Sequence, residues 1–243
     1  MNIVSRLFKL VARYADSPGA LVVKAKGGIP STFHELNHVW LQSFAIDLIV
    51  DVGANTGQFA TTARQLFPEK EIVSLEPIPA CYEACRRRFE SDRNFSIENM
   101  AASDTTGVVE FSVSADSGAS SVLPMSELQK SIFPASSRVI KIQVQTKPLD
   151  LVLEKKARGR KIFLKIDVQG FELAVLRGAS ETLAATHVVL VESSFESFYE
   201  GQALFEDVYA YLVTAGFRFV YSFNIMRDAS GRPMQGDFVF VRK

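Results

Sequence analysis

The 243-residue sequence predicts a doubly wound α/β sheet that ends in an antiparallel strand hairpin and carries a helical cap at its N-terminus. Three observations lead there. At 46–59, IDLIVDVGANTGQF, a branched apolar run closes on an acid and breaks into a glycine-bracketed loop. From that loop to about residue 212, strand and helix patterns alternate, as a parallel sheet with helical crossovers requires. Two successive strand patterns, joined only by a turn-rich link, then close the chain.

The elements follow in order. Ile46, Leu48, Ile49, Val50 and Val52 read as a strand buried on both faces. Gly53 and Gly57 mark a sharp turn and a close approach to a ligand, and Phe59, Ala60, Ala63, Leu66 and Phe67 resume at helical spacing. A strand at Glu71–Leu75 ends on Glu76-Pro77 and is followed by a helix around Ala80–Phe89, a strand at Phe95–Met100 and a turn at Ala101–Asp104. Val108–Ser114 and Val139–Thr146 have β character, and the Ser/Gly/Ala-rich Ser114–Ser121 stretch is a loop, either an active-site lid or a surface excursion. Lys161–Ile166 and Val188–Val191 read as strands and Leu173–Arg177 as a helix. Phe205–Leu212 is a helix, and Phe217–Phe223 and Asp237–Val241 form the terminal hairpin across Asp228–Gly236.

The glycine loop decides the ligand. A dinucleotide loop needs a middle glycine beside the pyrophosphate, whereas this loop carries Asn55 there. That polar amide suits the methionine end of S-adenosyl-L-methionine, and Glu76 stands at a strand end where a ribose would offer two hydroxyls. Asp51, Gly53, Asn55, Gly57 and Glu76 are therefore the first candidate cofactor-binding residues; a plain tight turn, with Glu76 as a helix cap or ion-pair partner, is the structural alternative.

These residues resemble a known family. DVGANTGQF and LEP, with the later LKIDVQGFELAVLRGA and VLVES, look like the FkbM family of S-adenosylmethionine-dependent methyltransferases. The resemblance implies a class I methyltransferase fold for residues 46–243; residues 1–45 carry no motif of the family and read as a helical cap over the cofactor or acceptor cleft. It also implies methyl transfer to oxygen, often on sugars or polyketide-type natural products, and an adenine near Ala101–Asp104. There the small Ala101 and Ala102 let a flat ring pack against backbone, and Asp104 could accept from the adenine amine or simply form the turn.

The chemical end of the cleft falls on Lys165–Glu172. Asp167 and Gln169 lie at a strand's C-terminal end, where open α/β sheets bind ligands, and the next strand delivers Glu192 to the same edge. An acceptor hydroxyl attacking a methyl carbon loses its proton as the C–O bond forms, so a carboxylate serves as base. Asp167 is the candidate base, with Glu192 or Glu172 orienting the acceptor. Glu172 could instead cap the helix beside it, and Asp167 could hold the cofactor's amino group. A cation between Asp167 and Glu192 is the metal alternative; two oxygens do not define such a site, and no metal is expected.

Composition bounds the rest. Lys plus Arg and Asp plus Glu both total 27, which argues against a broad nucleic-acid-binding face. The two cysteines, Cys81 and Cys85, read as reduced helix residues, consistent with the cytoplasm. Charges interrupt any signal-peptide core, and no uncharged apolar run approaches the roughly 20 residues of a membrane span. The basic amphipathic segment at residues 1–14 can touch a membrane surface or pack on the protein. His34-Glu35-Leu36-Asn37-His38 matches H-E-x-x-H formally, but no supporting third ligand or protease fold accompanies it. Phe195, Phe198 and Tyr199 could stack on a sugar or belong to the core. The expected acceptor is a small molecule or glycan. A nicotinamide-dependent oxidoreductase and a non-catalytic cofactor-binding protein are the other classes.

Overall fold

The structure, a computed structural model, describes residue 14 and residues 17–243. The N-terminal basic amphipathic segment thus lies outside the described residues, apart from Tyr14.

Strands β1 (Leu48–Val52), β2 (Glu71–Leu75), β3 (Phe95–Glu98), β7 (Ile162–Ile166), β8 (Thr186–Ser194), β9 (Phe217–Arg227) and β10 (Pro233–Arg242) form one sheet in the order β3-β2-β1-β7-β8-β10-β9. All its pairs are parallel except those of β10, which is antiparallel to both β8 and β9. The terminal strand is therefore inserted between its neighbours, the arrangement of the class I methyltransferase fold. β1 and β7 are buried along their whole length, so their branched residues serve two cores. Leu48, Val50 and Val52 face one, and Ile49 faces the other beside Phe59 and Phe163.

The order reverses between β1 and β7, where one crossover leaves β1 for β2 and the other arrives from beyond β3. This is the crevice in which doubly wound sheets bind ligands. Helices α4 (Gln58–Leu66) and α5 (Pro79–Arg88) follow β1 and β2.

A second sheet, β4-β6-β5, lies beside the crevice: β4 (Ala101–Ser103), β5 (Gly107–Ser114) and β6 (Val139–Pro148). The expected turn at Ala101–Asp104 is thus largely a strand. Ala101–Ser103 pairs in parallel with Thr146–Pro148, a partner more than forty positions away that local turn chemistry could not reveal.

Among the described residues before β1, the expected cap region holds α1 (Pro18–Ala25), α2 (Pro30–Leu36) and α3 (Val39–Gln42). α1 and α2 each open on proline, whose missing N–H costs nothing at a helix start. Val23, Phe33, Leu36 and Leu41 pack into the core that holds Phe59 and Phe163, and Tyr221 Oη donates to Glu35 O at 2.6 Å, tying the hairpin to the cap. The H-E-x-x-H match dissolves here. α2 ends at Leu36, and His38 has an extended backbone before α3, so the two imidazoles do not share a helix face. Among the described residues no group of three or more His, Cys, Asp or Glu is arranged to hold a metal, and no helix is long and apolar enough to cross a membrane.

Candidate active site

The loop after β1 is shaped by chain packing. Gly53 has φ +81°, and a Cβ there would stand 1.8 Å from the carbonyl oxygen of Asp167. Gly57 has φ +87°, and its Cβ would come within 2.9 Å of Cys85 Sγ and of the Phe89 ring. Gly57 therefore seats α5, and unlike Gly53 it is not among the residues lining the cavity described next. Asn55 adopts φ +49°, which asparagine tolerates better than most residues. Its backbone N–H donates to Glu76 Oε2 at 2.7 Å, while Ile78 N–H donates to Glu76 Oε1 at 2.8 Å. Each oxygen keeps lone-pair capacity for a further donor. Burial pushes the Glu76 carboxyl up to about 7, against the pull of these two N–H groups.

Above this loop lies a cavity of about 300 Å³. Glu76, Ile78, Ala101 and Phe111 line one end, and Gly53, Asp167 and Glu192 the other. A carboxylate beside an apolar slot matches a ribose and its base, and two acids at the far end match a sulfonium, so the residues present fit S-adenosylmethionine. Of the expected cofactor residues, Gly53, Asn55, Glu76 and Ala101 line this cavity.

Two others do not. Asp104 is exposed beyond the end of β4 and its Oδ1 faces Ser103 Oγ at 3.3 Å, because the strand carries it past the cavity. Asp51 points into the face of the sheet, fully buried, 3.2 Å from the ammonium of Lys165. That ammonium also donates to Gly53 O at 2.9 Å and stands 3.6 Å from Asp167 Oδ2. Burial opposes its charge, but Asp51 and Asp167 together outweigh burial and hold Lys165 above its ordinary range.

The acids expected to do the chemistry separate into two roles. Asp167 and Glu192 come together across Gln169, whose Nε2 donates to Asp167 Oδ1 at 3.0 Å and to Glu192 Oε2 at 2.5 Å. Glu172 does not join them. Its Oε1 accepts from Val168 N–H at 3.2 Å and Gly170 N–H at 3.0 Å, bracing the loop before its own helix, α6 (Glu172–Arg177). Orienting an acceptor is thereby excluded for Glu172, since it is buried behind the loop and lines neither cavity described here.

The sequence places Gln169 at the ligand edge without assigning it a role, and its φ of +55° could not be read in advance. Tyr199 Oη shares its proton between Gln169 Oε1 at 3.0 Å and Ala119 O at 3.1 Å, which orients the amide so that its NH₂ faces the acids. Tyr199 and Phe198 are buried core residues, and Phe195 packs on Phe205 and Phe238, so the core alternative holds for all three. The Ser114–Ser121 loop reaches the same network. Ser121 Oγ donates to Gln169 O at 2.6 Å, and Ser117 Oγ lies 3.0 Å from Asn55 Nδ2.

A second cavity, of about 280 Å³, meets the first at Asp167 and Glu192. Burial and then the neighbouring Asp167 and Asp237 raise Glu192 well above the ordinary carboxylate range, and burial raises Asp237 to about 6 and Glu172 to about 7. Acids with raised native values bind protons more readily folded than unfolded, so between roughly pH 7 and pH 4.5 acidification favours the native state. The ligand-free protein should therefore melt about 5 °C higher near pH 5.5 than near pH 7.5, as read by scanning calorimetry. A fall in melting temperature over that interval would contradict the buried-acid picture.

The FkbM methyltransferase domain matches residues 51–219 of this chain. The 2-O-methyltransferase NoeI of Sinorhizobium fredii is 28% identical over 164 residues, covering 64% of this chain and 66% of that protein. Methyltransferase sdnD of Sordaria araneosa is 27% identical over 219 residues, covering 80% and 81%. Among solved structures, a precorrin-6y C5,15-methyltransferase from Geobacter metallireducens superposes with a TM-score of 0.47 at 11% identity, covering 86% of this chain and 88% of that one. The oxidoreductase alternative is set aside by the family match. With the glycine loop from Asp51 onward, the strand-end Glu76 and the Asp167–Glu192 pair all inside the matched segment, the chain belongs to the FkbM methyltransferase family and uses S-adenosylmethionine.

Proposed function

We propose that the protein is an O-methyltransferase acting on a hydroxyl of a sugar, a glycolipid or polysaccharide, or a related natural product, with Asp167 as the base. The observation that carries this reading is the placement of Asp167 and Glu192 where the two cavities meet. The relative named as a 2-O-methyltransferase supports oxygen as the acceptor atom.

When bound in the first cavity, S-adenosylmethionine supplies the methyl group that the acceptor oxygen takes, and departs as S-adenosylhomocysteine. Glu76 would hold the ribose, Ala101 the base, and Asn55 with the Gly53 backbone the methionine end. Asp167, with 37% of its side chain exposed, is open to an acceptor and takes the hydroxyl proton as the new bond forms. Glu192, which holds its own proton more readily, orients that hydroxyl. Residues 17–45, the described part of the N-terminal segment, serve as a cap on the 46–243 catalytic unit. The two free, buried cysteines support work in a reducing cytoplasm.

Calorimetric titration with S-adenosylhomocysteine, with NAD in parallel, tests the reading together with transfer of labelled methyl to a hydroxyl acceptor. Micromolar binding of the first alone is expected. Because only ionised Glu76 accepts from both ribose hydroxyls, affinity should fall up to about tenfold per pH unit below roughly 7, and Glu76→Gln should flatten that dependence. Binding of neither ligand, or transfer to nitrogen or carbon only, would sink the proposal.

A further inference from the structure

The second cavity shares only Asp167 and Glu192 with the first. Two molecules held in the two spaces would therefore face one another across those acids. The origin of the walls differs too. Every residue lining the first cavity lies within the family-matched segment, whereas the second draws Ile29 and Thr32 from before it and Asn224, Gln235 and Asp237 from after it. The substrate common to the family thus sits on common structure, and the second space is built from what flanks it.

The strands are specially shaped there. β10 slips register between Pro233 and Gln235 and again between Gln235 and Asp237, the kind of bulge that re-aims side chains beside active sites. At Gly236 between them, a Cβ would come within 2.3 Å of Ile225 Cδ1. Asn224 is held at φ +50°, and its Nδ2 donates to Asp237 Oδ2 at 2.8 Å. Backbone strain of this kind persists where the surroundings enforce it and clusters at ligand sites.

Wall chemistry names the occupant. Asn224, Gln235, Asp237 and Thr32 offer hydrogen-bonding groups, while Phe59 and Leu190 offer apolar surface. A sugar ring presents that same mixture, hydroxyls at its rim and C–H groups on its faces. Lys165 is the one cation among the described residues of the lining, and it is already committed to Asp51 and Gly53 O. Against it stand Asp167 and Asp237, with Glu192 beside them, so an anion placed here meets acidic groups with no free positive charge. About 280 Å³ lies just below the roughly 300–1,000 Å³ of drug-sized sites, room for one ring and not for an oligosaccharide.

We propose that this second cavity is the acceptor site and that it takes a single uncharged, hydroxyl-rich ring and rejects anionic ones. Asn224, Gln235 and Asp237 hold the hydroxyls beside the one that faces Asp167. The assignment rests on the methyltransferase reading given above.

Saturation-transfer NMR on the protein loaded with S-adenosylhomocysteine tests it. The probes are neutral methyl glycosides (gluco, galacto, fuco and rhamno) and the methyl glycosides of glucuronic and galacturonic acid. At least one neutral glycoside should receive saturation and neither uronide should. Asn224→Ala and Gln235→Ala should each weaken the neutral glycoside about tenfold, a loss of about 1.4 kcal/mol. Asp237→Asn should admit the uronides. Retained affinity for S-adenosylhomocysteine in each variant reports an intact fold. Uronides that bind as well as neutral rings, variants that change nothing, or no neutral glycoside engaging the loaded protein would overturn the assignment. Loss of S-adenosylhomocysteine binding by the unaltered protein would instead bring down the methyltransferase reading itself.

Discussion

Lys165→Met should destabilise the protein by about 3–5 kcal/mol. Lys165 is 7% exposed, and its ammonium is the ion-pair partner of Asp51, whose carboxylate is fully buried. Methionine fills a similar volume, so the loss is electrostatic and not a cavity effect. The variant strands a carboxylate on the sheet face and leaves Gly53 O without its donor. Urea unfolding reads the effect directly. Adding Asp51→Asn should restore part of the loss, because the second substitution removes the stranded charge; two losses that simply add would mean that the pair is not coupled. A loss below about 1 kcal/mol from Lys165→Met alone would mean that Asp51 relaxes to solvent or takes up a proton at little cost.

Asp167→Asn should lower kcat by about 10²–10⁴-fold while leaving affinity for S-adenosylhomocysteine within a few-fold. The amide keeps the shape of the acid and removes the proton acceptor. Asn also turns the Oδ1 that receives Gln169 Nε2 into a group that can be presented either way round, so the pair with Glu192 loses its single orientation. Single-turnover rates with labelled methyl donor separate this chemical effect from cofactor loading. An unchanged rate would remove Asp167 from the base role and move attention to Glu192. Gln169→Ala makes a useful contrast: about a tenfold fall, with an altered pH profile, is expected from a residue that positions two acids without touching the acceptor.

The sheet was legible because its strands are short, branched and buried on both faces, and because an acid and two glycines punctuate the end of β1. What escaped were consequences of distant parts meeting. Gly53 is explained by Asp167 O, which lies more than a hundred positions along the chain, and Gly57 by Cys85 and Phe89. A glycine pattern announces crowding but does not say whether a ligand or the protein itself does the crowding. Asp51 and Glu172 read as site acids by position, yet their side chains point to Lys165 and to the loop backbone, a choice of direction that spacing does not encode. Asp104 lost its place because Ala101–Ser103 joins a second sheet and carries it outward. Gln169 stands at the ligand edge already in the sequence, but its role depends on Tyr199, thirty positions later, which orients its amide.

The loop from Ser114 to Ser121 is fastened on both sides of the first cavity, to Asn55 at one side and to Gln169 and Tyr199 at the other. A spent cofactor leaving by that side has to wait for those bonds to part. Turnover would then be paced by the residence time of S-adenosylhomocysteine, with its release slow and the burst of product in the first cycle larger than the steady rate that follows.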